Sequence, residues 1–397
     1  MTPTLHTSHG EATFQAQAVI IGDGQLLRPG WVHVRAGRII ELASGRRGDA
    51  IDLGPVAILP PLVNAHTHLE FSDLTTPLPP GRSFPDWIDA VLRERQSRVS
   101  SITDRIERGW RESTAAGVAA IGEIATTNDT CDTLSRLGAS GVVFREFLGL
   151  TPERIAAAIS AASSFLDAAI NADPPALRRG LSPHAPYSTH PDLVARLCEL
   201  AAERQAPVAM HLAETREELQ LLTHRTGPFV DFLQRLGVWR DDLFDRGDRI
   251  LDSLRHLARA PRALVVHGNY LGDADCEFIA SQPHMSVVYC PRTHAAFQHD
   301  PHPWRKLLRQ GTRVVLGTDS RATNPDLSLW NELQWLATRC DLPDATLLRM
   351  VTIDAALALG LPAESACLQV GGPARFLSVR PARPLSDDSL AGLLARR

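Results

Sequence analysis

The chain has 397 residues, 44% of them hydrophobic and 22% charged, a globular balance that excludes a disordered or fibrous protein. Lys+Arg 41 against Asp+Glu 45 gives a net charge of −4, too even for a protein built to grip nucleic acid or an anionic membrane, so a small molecule is the expected partner. No apolar run approaches the ~18 residues of a membrane helix, and the start, MTPTLHTSHGEATF, lacks the layout of a signal peptide, so a cytoplasmic location is expected.

Residues 1–56 read as short strands: AQAVIIGDGQ and WVHVRAGRIIEL are β-rich runs broken by Gly-Asp-Gly and Ala-Gly turn signals. Residues 57–362 repeat one theme, a short apolar run followed by a polar tail and a helical stretch. The runs are VAILPPLVNAHTH, VAAIGEIAT, GVVFREFLG, RRGLSPHAPYS, PVAMHLAET, ALVVHGNYL, MSVVYCPRTH and RVVLGTDS. Eight such units predict an α/β chain folded as a (β/α)8 TIM-like barrel. In residues 363–397, ARFLSVRP is a further strand after the turn-like Val370-Gly371-Gly372-Pro373. Neither terminal piece can bury a core alone, so the two are expected to build one small β-sandwich. The long segment between the fifth and sixth runs, containing DDLFDRGDRILDSLRHL, is a candidate lid over the substrate. The six cysteines form no C-x-x-C pair and read as reduced thiols.

Chemistry-bearing residues gather at the C-terminal ends of the runs, where the loops of a barrel form its active mouth. His66 and His68 end the first run at positions i and i+2, which share one face of a strand. His211 ends the fifth run, His267 the sixth and Asp319 the eighth. Five metal-competent groups thus converge on one mouth, and imidazole with carboxylate in the absence of thiolate suits one divalent ion, Zn²⁺ or Fe²⁺. Signatures of other catalytic classes are absent: no H-E-x-x-H, P-loop, G-x-S-x-G or H-x-E with P-C-x-x-C occurs.

The sequence resembles the metal-dependent amidohydrolase superfamily, in particular its aminohydrolase branch of chlorohydrolases and nucleobase or nucleoside deaminases. The motifs that carry the resemblance are Leu59-Pro60-Pro61-Leu62-Val63-Asn64-Ala65-His66-Thr67-His68, Ser182-Pro183-His184-Ala185-Pro186-Tyr187-Ser188, His211-Leu212-Ala213-Glu214-Thr215, His267-Gly268 and Gly317-Thr318-Asp319-Ser320. The resemblance implies His66, His68, His211 and Asp319 as ligands of a single metal ion, with Glu214 as proton shuttle and His267 and Asp319 as catalytic groups beside it. Binuclear relatives carry a bridging lysine at the end of the fourth strand, whereas the only lysine here is Lys306, just before the eighth run. A bridging Glu123 or Glu146 is the remaining route to a second ion. A homodimer is compatible with the resemblance.

Substrate contacts are expected from Glu70, two residues beyond the H-x-H; from Trp87, which either stacks on a ring or packs; and from His184 of the P-H-A-P-Y motif. Arg292 and His294 stand in Cys290-Pro291-Arg292-Thr293-His294, where purine-nucleoside deaminases more often show Asn-Pro-x-Ser-Asn. An arginine there suits a carboxylate on the substrate; a solvated strand-end arginine is the plainer alternative. The expected reaction is hydrolytic deamination of an amino-substituted heteroaromatic ring, a 6-aminopurine nucleoside first, and the motifs look most like the aminodeoxyfutalosine deaminase subgroup. Deaminases of S-adenosylhomocysteine, methylthioadenosine or guanine, chlorohydrolases, cyclic-amide hydrolases and a non-catalytic binding barrel are the alternatives.

Overall fold

The structure is a computed structural model that describes residues 3–22, 24–168, 177–244, 249–385 and 390–394. Eight parallel strands succeed one another: β1 (Leu62–His68), β2 (Val118–Ala125), β3 (Gly141–Phe147), β4 (Leu177–Pro183), β5 (Val208–Leu212), β6 (Ala263–His267), β7 (Met285–Tyr289) and β8 (Arg313–Leu316). The chain leaving β8 closes the barrel, because its continuation Asp319–Ser320 pairs with β1 in the register Asp319↔Thr67 and Ser320↔His68.

Strand alternation explains the core. Val142, Phe144, Ala209, Leu264, Val266, Val288 and Val315 pack together inside the barrel. Their chain neighbours Val143, Val208, Met210, Val265, Val287 and Val314 face the surrounding helices. The Ile353–Ala358 helix adds Ala355 and Ala356 to the inner cluster, near the start of β1, where Val63 N–H donates to Val351 O at 2.8 Å. The outer helices follow amphipathic rules: Ile102–Ala115 is capped by Ser101, which accepts the Asp104 N–H, and buries Ile106, Gly109, Trp110 and Ser113 along one stripe.

Both termini meet in a pair of sheets. Thr4–Thr7 pairs antiparallel with Arg375–Val379, which pairs with Ala57–Leu59, then Ala18–Ile20 and Leu26–Leu27. A second sheet orders Arg38–Ser44, Gly30–Arg35, Ala12–Ala16 and Ile51–Asp52. Val19, Ile58 and Phe376 of the first sheet and Val32, Val34 and Ile39 of the second share one buried cluster. Among the described residues the six cysteines form no disulfide, and no helix is long and apolar enough to cross a membrane. The proposed lid falls partly on residues 245–248, outside the described residues; Ile250–Leu257, within it, forms a helix.

Candidate active site

The ends of β1, β5 and β6 and the segment after β8 bring His66, His68, His211, His267 and Asp319 together. His66 Nε2 and His68 Nε2 lie 3.7 and 3.8 Å from Asp319 Oδ1, and His68 Nε2 faces His211 Nε2 at 3.3 Å. His211 Nδ1 lies 3.0 Å from the carbonyl of His184, which can only accept, so His211 carries its proton on Nδ1 and turns the Nε2 lone pair to the cluster. His66 is wholly buried, yet among the described residues neither of its ring nitrogens has a hydrogen-bond partner. Burial first, and neighbouring imidazoles after it, hold His66, His68, His211 and His267 below the ordinary histidine value, well below it for all but His211. Neutral imidazoles with unpaired nitrogens around a carboxylate are the state a divalent ion requires, so the donor set fits a metal.

Close packing makes this convergence feasible. A side chain on Gly317 would place its Cβ 2.8 Å from His66 Cβ, so glycine lets the chain beyond β8 approach β1. Ala213, His267 and Asp319 sit at φ +54°, +66° and +57°, left-handed conformations that cost strain. Each redirects the chain at the mouth, and hydrogen bonds hold the arrangement: Thr323 Oγ1 donates to Asp319 Oδ2 at 2.9 Å, and His302 Nε2 to His267 O at 2.7 Å.

Glu214 is buried, with Oε1 3.4 Å from His267 Nε2. Burial, then the charges of Asp319 and Glu218, push its carboxyl well above the ordinary value. Its orientation is fixed from behind, where the Glu218 carboxylate accepts the N–H groups of Ala213 and Glu214, both at 2.9 Å. Asn269 Nδ2 donates to Glu214 O at 2.9 Å. Thr215 caps the following helix, Arg216–His224, by accepting the Glu218 N–H.

A cavity of about 250 Å³ opens over this cluster. Its apolar wall includes Phe71, Phe84, Trp87, Leu92, Phe232, Leu233, Leu236 and Val238, while Arg95, Glu146, Arg154, His184 and Ser188 supply polar groups. Trp87 and His184 therefore reach the cavity, and residues 232–238 rather than the described part of the proposed lid line its mouth.

Three expected substrate contacts are directed elsewhere. Arg292 does not line this cavity: Nε donates to Glu332 Oε1 at 2.6 Å, and its two terminal nitrogens donate to the Asp326 carboxylate at 3.1 and 2.8 Å. The wholly buried Glu332 demands a cation, and the strand-end arginine supplies it. His294 pairs through Nε2 with Asp300 O at 2.8 Å, also away from the cavity. Glu70 is taken by Arg95 Nη2 at 2.5 Å and Thr126 Oγ1 at 2.8 Å. Glu123 spends both carboxyl oxygens on the Leu69 N–H, each at 3.1 Å, rather than facing the histidines.

Four residues of the site's surroundings were not expected as substrate or positioning groups: Arg95, Arg154, Glu146 and Glu218. Glu146 ends β3, and Thr215-x-x-Glu218 is a capping-box pattern, so both had a legible signal. Arg95 and Arg154 lie on helices and had none.

Known proteins of this architecture resemble the chain across most of its length. Aminodeoxyfutalosine deaminase of Deinococcus radiodurans is 29% identical over 340 residues, covering 83% of this chain and 77% of the relative. 5-Methylthioadenosine/S-adenosylhomocysteine deaminase of Syntrophobacter fumaroxidans is 25% identical over 387 residues, covering 91% of this chain and 82% of the relative. The crystal structure of an adenosine deaminase from Xanthomonas campestris with bound zinc superposes with a TM-score of 0.74 at 22% identity, covering 97% of this chain and 89% of that one. The model of the Amidohydrolase family matches residues 57–393, and the chain belongs to that family.

Proposed function

We propose that the chain is a mononuclear metal-dependent aminohydrolase that removes the amino group of a 6-aminopurine nucleoside by hydrolysis and releases ammonia. The observation that carries this reading is Glu214, a buried carboxyl 3.4 Å from His267 Nε2, facing the cavity and pushed above its ordinary value by burial. An amino-bearing ring carbon accepts a water oxygen readily only when the adjacent ring nitrogen gains a proton, and the departing amine needs one as well. Glu214 gives its proton to the ring nitrogen, recovers one from the incoming water and passes it to the amine. Asp319 accepts a proton from the same water, and His267 orients the attacking oxygen. His66, His68, His211 and Asp319 would hold the ion, zinc as in the adenosine deaminase relative or iron, which supplies a water of lowered pKa when bound.

An aminodeoxyfutalosine-like nucleoside is the first substrate. Arg95 is paired with Glu70, while Arg154 lines the cavity with no ion pair among the described residues. Arg154 is therefore the better partner for an acidic tail, in place of Arg292. The second reading, a methylthioadenosine or S-adenosylhomocysteine deaminase, is favoured by the apolar wall of Phe232, Leu233 and Leu236, which suits a thioether.

Zinc-loaded protein is tested for ammonia release, with the accompanying ultraviolet shift, on aminodeoxyfutalosine, S-adenosylhomocysteine, methylthioadenosine, adenosine and guanine. Turnover of one of the four nucleosides is expected. Silence on all five, with one zinc per chain, overturns the reading and turns attention to cyclic amides.

A further inference from the structure

Glu146 ends β3 at 6% exposure and lines the cavity. Its carboxyl makes no hydrogen bond to a described residue; its ion-pair neighbour is His184 Nε2 at 3.8 Å, too far for one. A buried carboxyl left in this state is costly unless a donor comes from outside the protein. His184 adds a second acceptor. Ser188 Oγ donates to Ala185 O at 3.1 Å, so it accepts from His184 Nδ1 at 2.6 Å, and His184 Nε2 is left without a proton.

Two polar groups without a donor among the described residues thus converge with His211, a carboxyl oxygen of Glu146 and ring nitrogens of His184 and His211 lying within 4.8 Å of one another. They do not form a second ion site beside the first, because His211 Nε2 has one lone pair, already turned to His68 Nε2 at 3.3 Å. What they form is a socket for N–H or O–H hydrogens, one small group away from the place where the reacting carbon must sit. In a 6-aminopurine that carbon is bonded to a ring nitrogen, a ring carbon without hydrogen and the exocyclic nitrogen. The ring nitrogen belongs to Glu214, so the exocyclic nitrogen alone brings donors.

The geometry points to a leaving-group subsite, in which Glu146 and His184 accept the N–H hydrogens of the amine that departs. This inference rests on the aminohydrolase reading of the site. Neither group takes a proton; the proton that completes ammonia comes from Glu214. The subsite favours an amine over chloride or alkoxide, because those leaving groups present lone pairs to two acceptors.

The test compares zinc-loaded wild type with Glu146→Gln on methylthioadenosine and its 6-chloro counterpart, following ammonia and chloride. Binding of both compounds is measured by calorimetry in a zinc-loaded Glu214→Gln background, where turnover is slow. Glu146→Gln is expected to lower kcat/KM on the amine about tenfold or more while the chloride stays within about threefold, with the same loss of preference in binding. Equal losses on both compounds overturn the subsite. If wild type releases no ammonia yet binds the amine in preference to the chloride, and Glu146→Gln erases that preference, the deaminase reading falls and the subsite stands. No preference in wild-type binding overturns the subsite as well. Glu146→Asp, which keeps the acceptors on a shorter stem, retains part of the preference and replaces the Gln variant should that fail to fold.

Discussion

Two charged corners of the barrel mouth differ in how their polar atoms are used. Around Arg292 the guanidinium and its backbone N–H give five hydrogen bonds to Glu332 and Asp326, and the arginine charge offsets part of the burial that pushes the Glu332 carboxyl up to about 7. The two carboxylates outweigh burial and hold the guanidinium firmly charged. Around His66 the opposite holds among the described residues: both His66 ring nitrogens and His68 Nδ1 have no partner, imidazoles face one another, and the Glu146 carboxyl accepts nothing. A polar cluster complete within itself stabilises the fold, whereas one left incomplete awaits a ligand. Residue type alone does not separate the two, since an arginine at a strand end is equally suited to either task.

Breaking the incomplete cluster should affect chemistry first. His66→Ala removes no hydrogen bond within the protein, yet it deletes a candidate ligand. Ammonia release is expected to fall about 10³-fold or more, the scale on which losing one member of a cooperating set acts. Zinc per chain, read by elemental analysis, should fall with it. Chelation of the loaded wild type should lower the melting temperature, because an ion that binds only the folded state adds to stability. Retention of full activity by His66→Ala would remove this residue from the ligand set.

Glu214→Gln keeps the volume and the ion but cannot pass a proton. Its kcat should drop about 10²- to 10⁴-fold with KM nearly unchanged and zinc content intact. A variant that loses its zinc instead would place Glu214 among the ligands.

Breaking the complete cluster should have the reverse signature. Arg292→Ala leaves the buried Glu332 carboxylate uncompensated, at a cost of about 3–5 kcal/mol in denaturant unfolding. The ratio of kcat/KM between a carboxylate-bearing nucleoside and methylthioadenosine should stay constant. A selective loss on the carboxylate-bearing compound would return Arg292 to substrate binding.

The barrel was legible because its strands are short apolar runs with chemistry at their ends, and the register kept that order. Side chains at the ends of straight strands follow alternation: Ala209 faces the inner cluster and His211 the cavity, and Phe144 leads likewise to Glu146. His267 shows the limit, because its positive φ interrupts the alternation that Leu264 and Val266 follow. The convergence of His267 with His66 was therefore readable from its place at the end of the sixth run and from motif resemblance, not from strand alternation. Pairing was the least legible level. Nothing near Glu70 in the chain indicates that Arg95 will claim it, and Glu332 lies forty residues beyond Arg292. Choice of partner is set by which buried carboxylate each cation reaches after the barrel closes.

Glu218 is an intermediate case and gives the smallest expected effect. Its carboxyl is wholly buried and accepts two backbone N–H groups at 2.9 Å, yet no cation among the described residues pairs with it. Burial pushes it up to about 7, against the downward pull of the backbone N–H groups of Glu214, Ala213 and Thr215. The folded chain then retains a proton that the unfolded chain releases near the ordinary glutamate value of 4.5. Between those two values the folded state binds more protons, so this group makes stability decline as pH rises and contributes no further slope above its folded value. The full change is at most about 3.5 kcal/mol. Unfolding free energies of wild type and Glu218→Gln, measured from pH 5 to pH 8, should diverge in slope below about pH 7 and run parallel above it. Parallel curves across the whole range would mean that the backbone N–H groups alone keep Glu218 ionised.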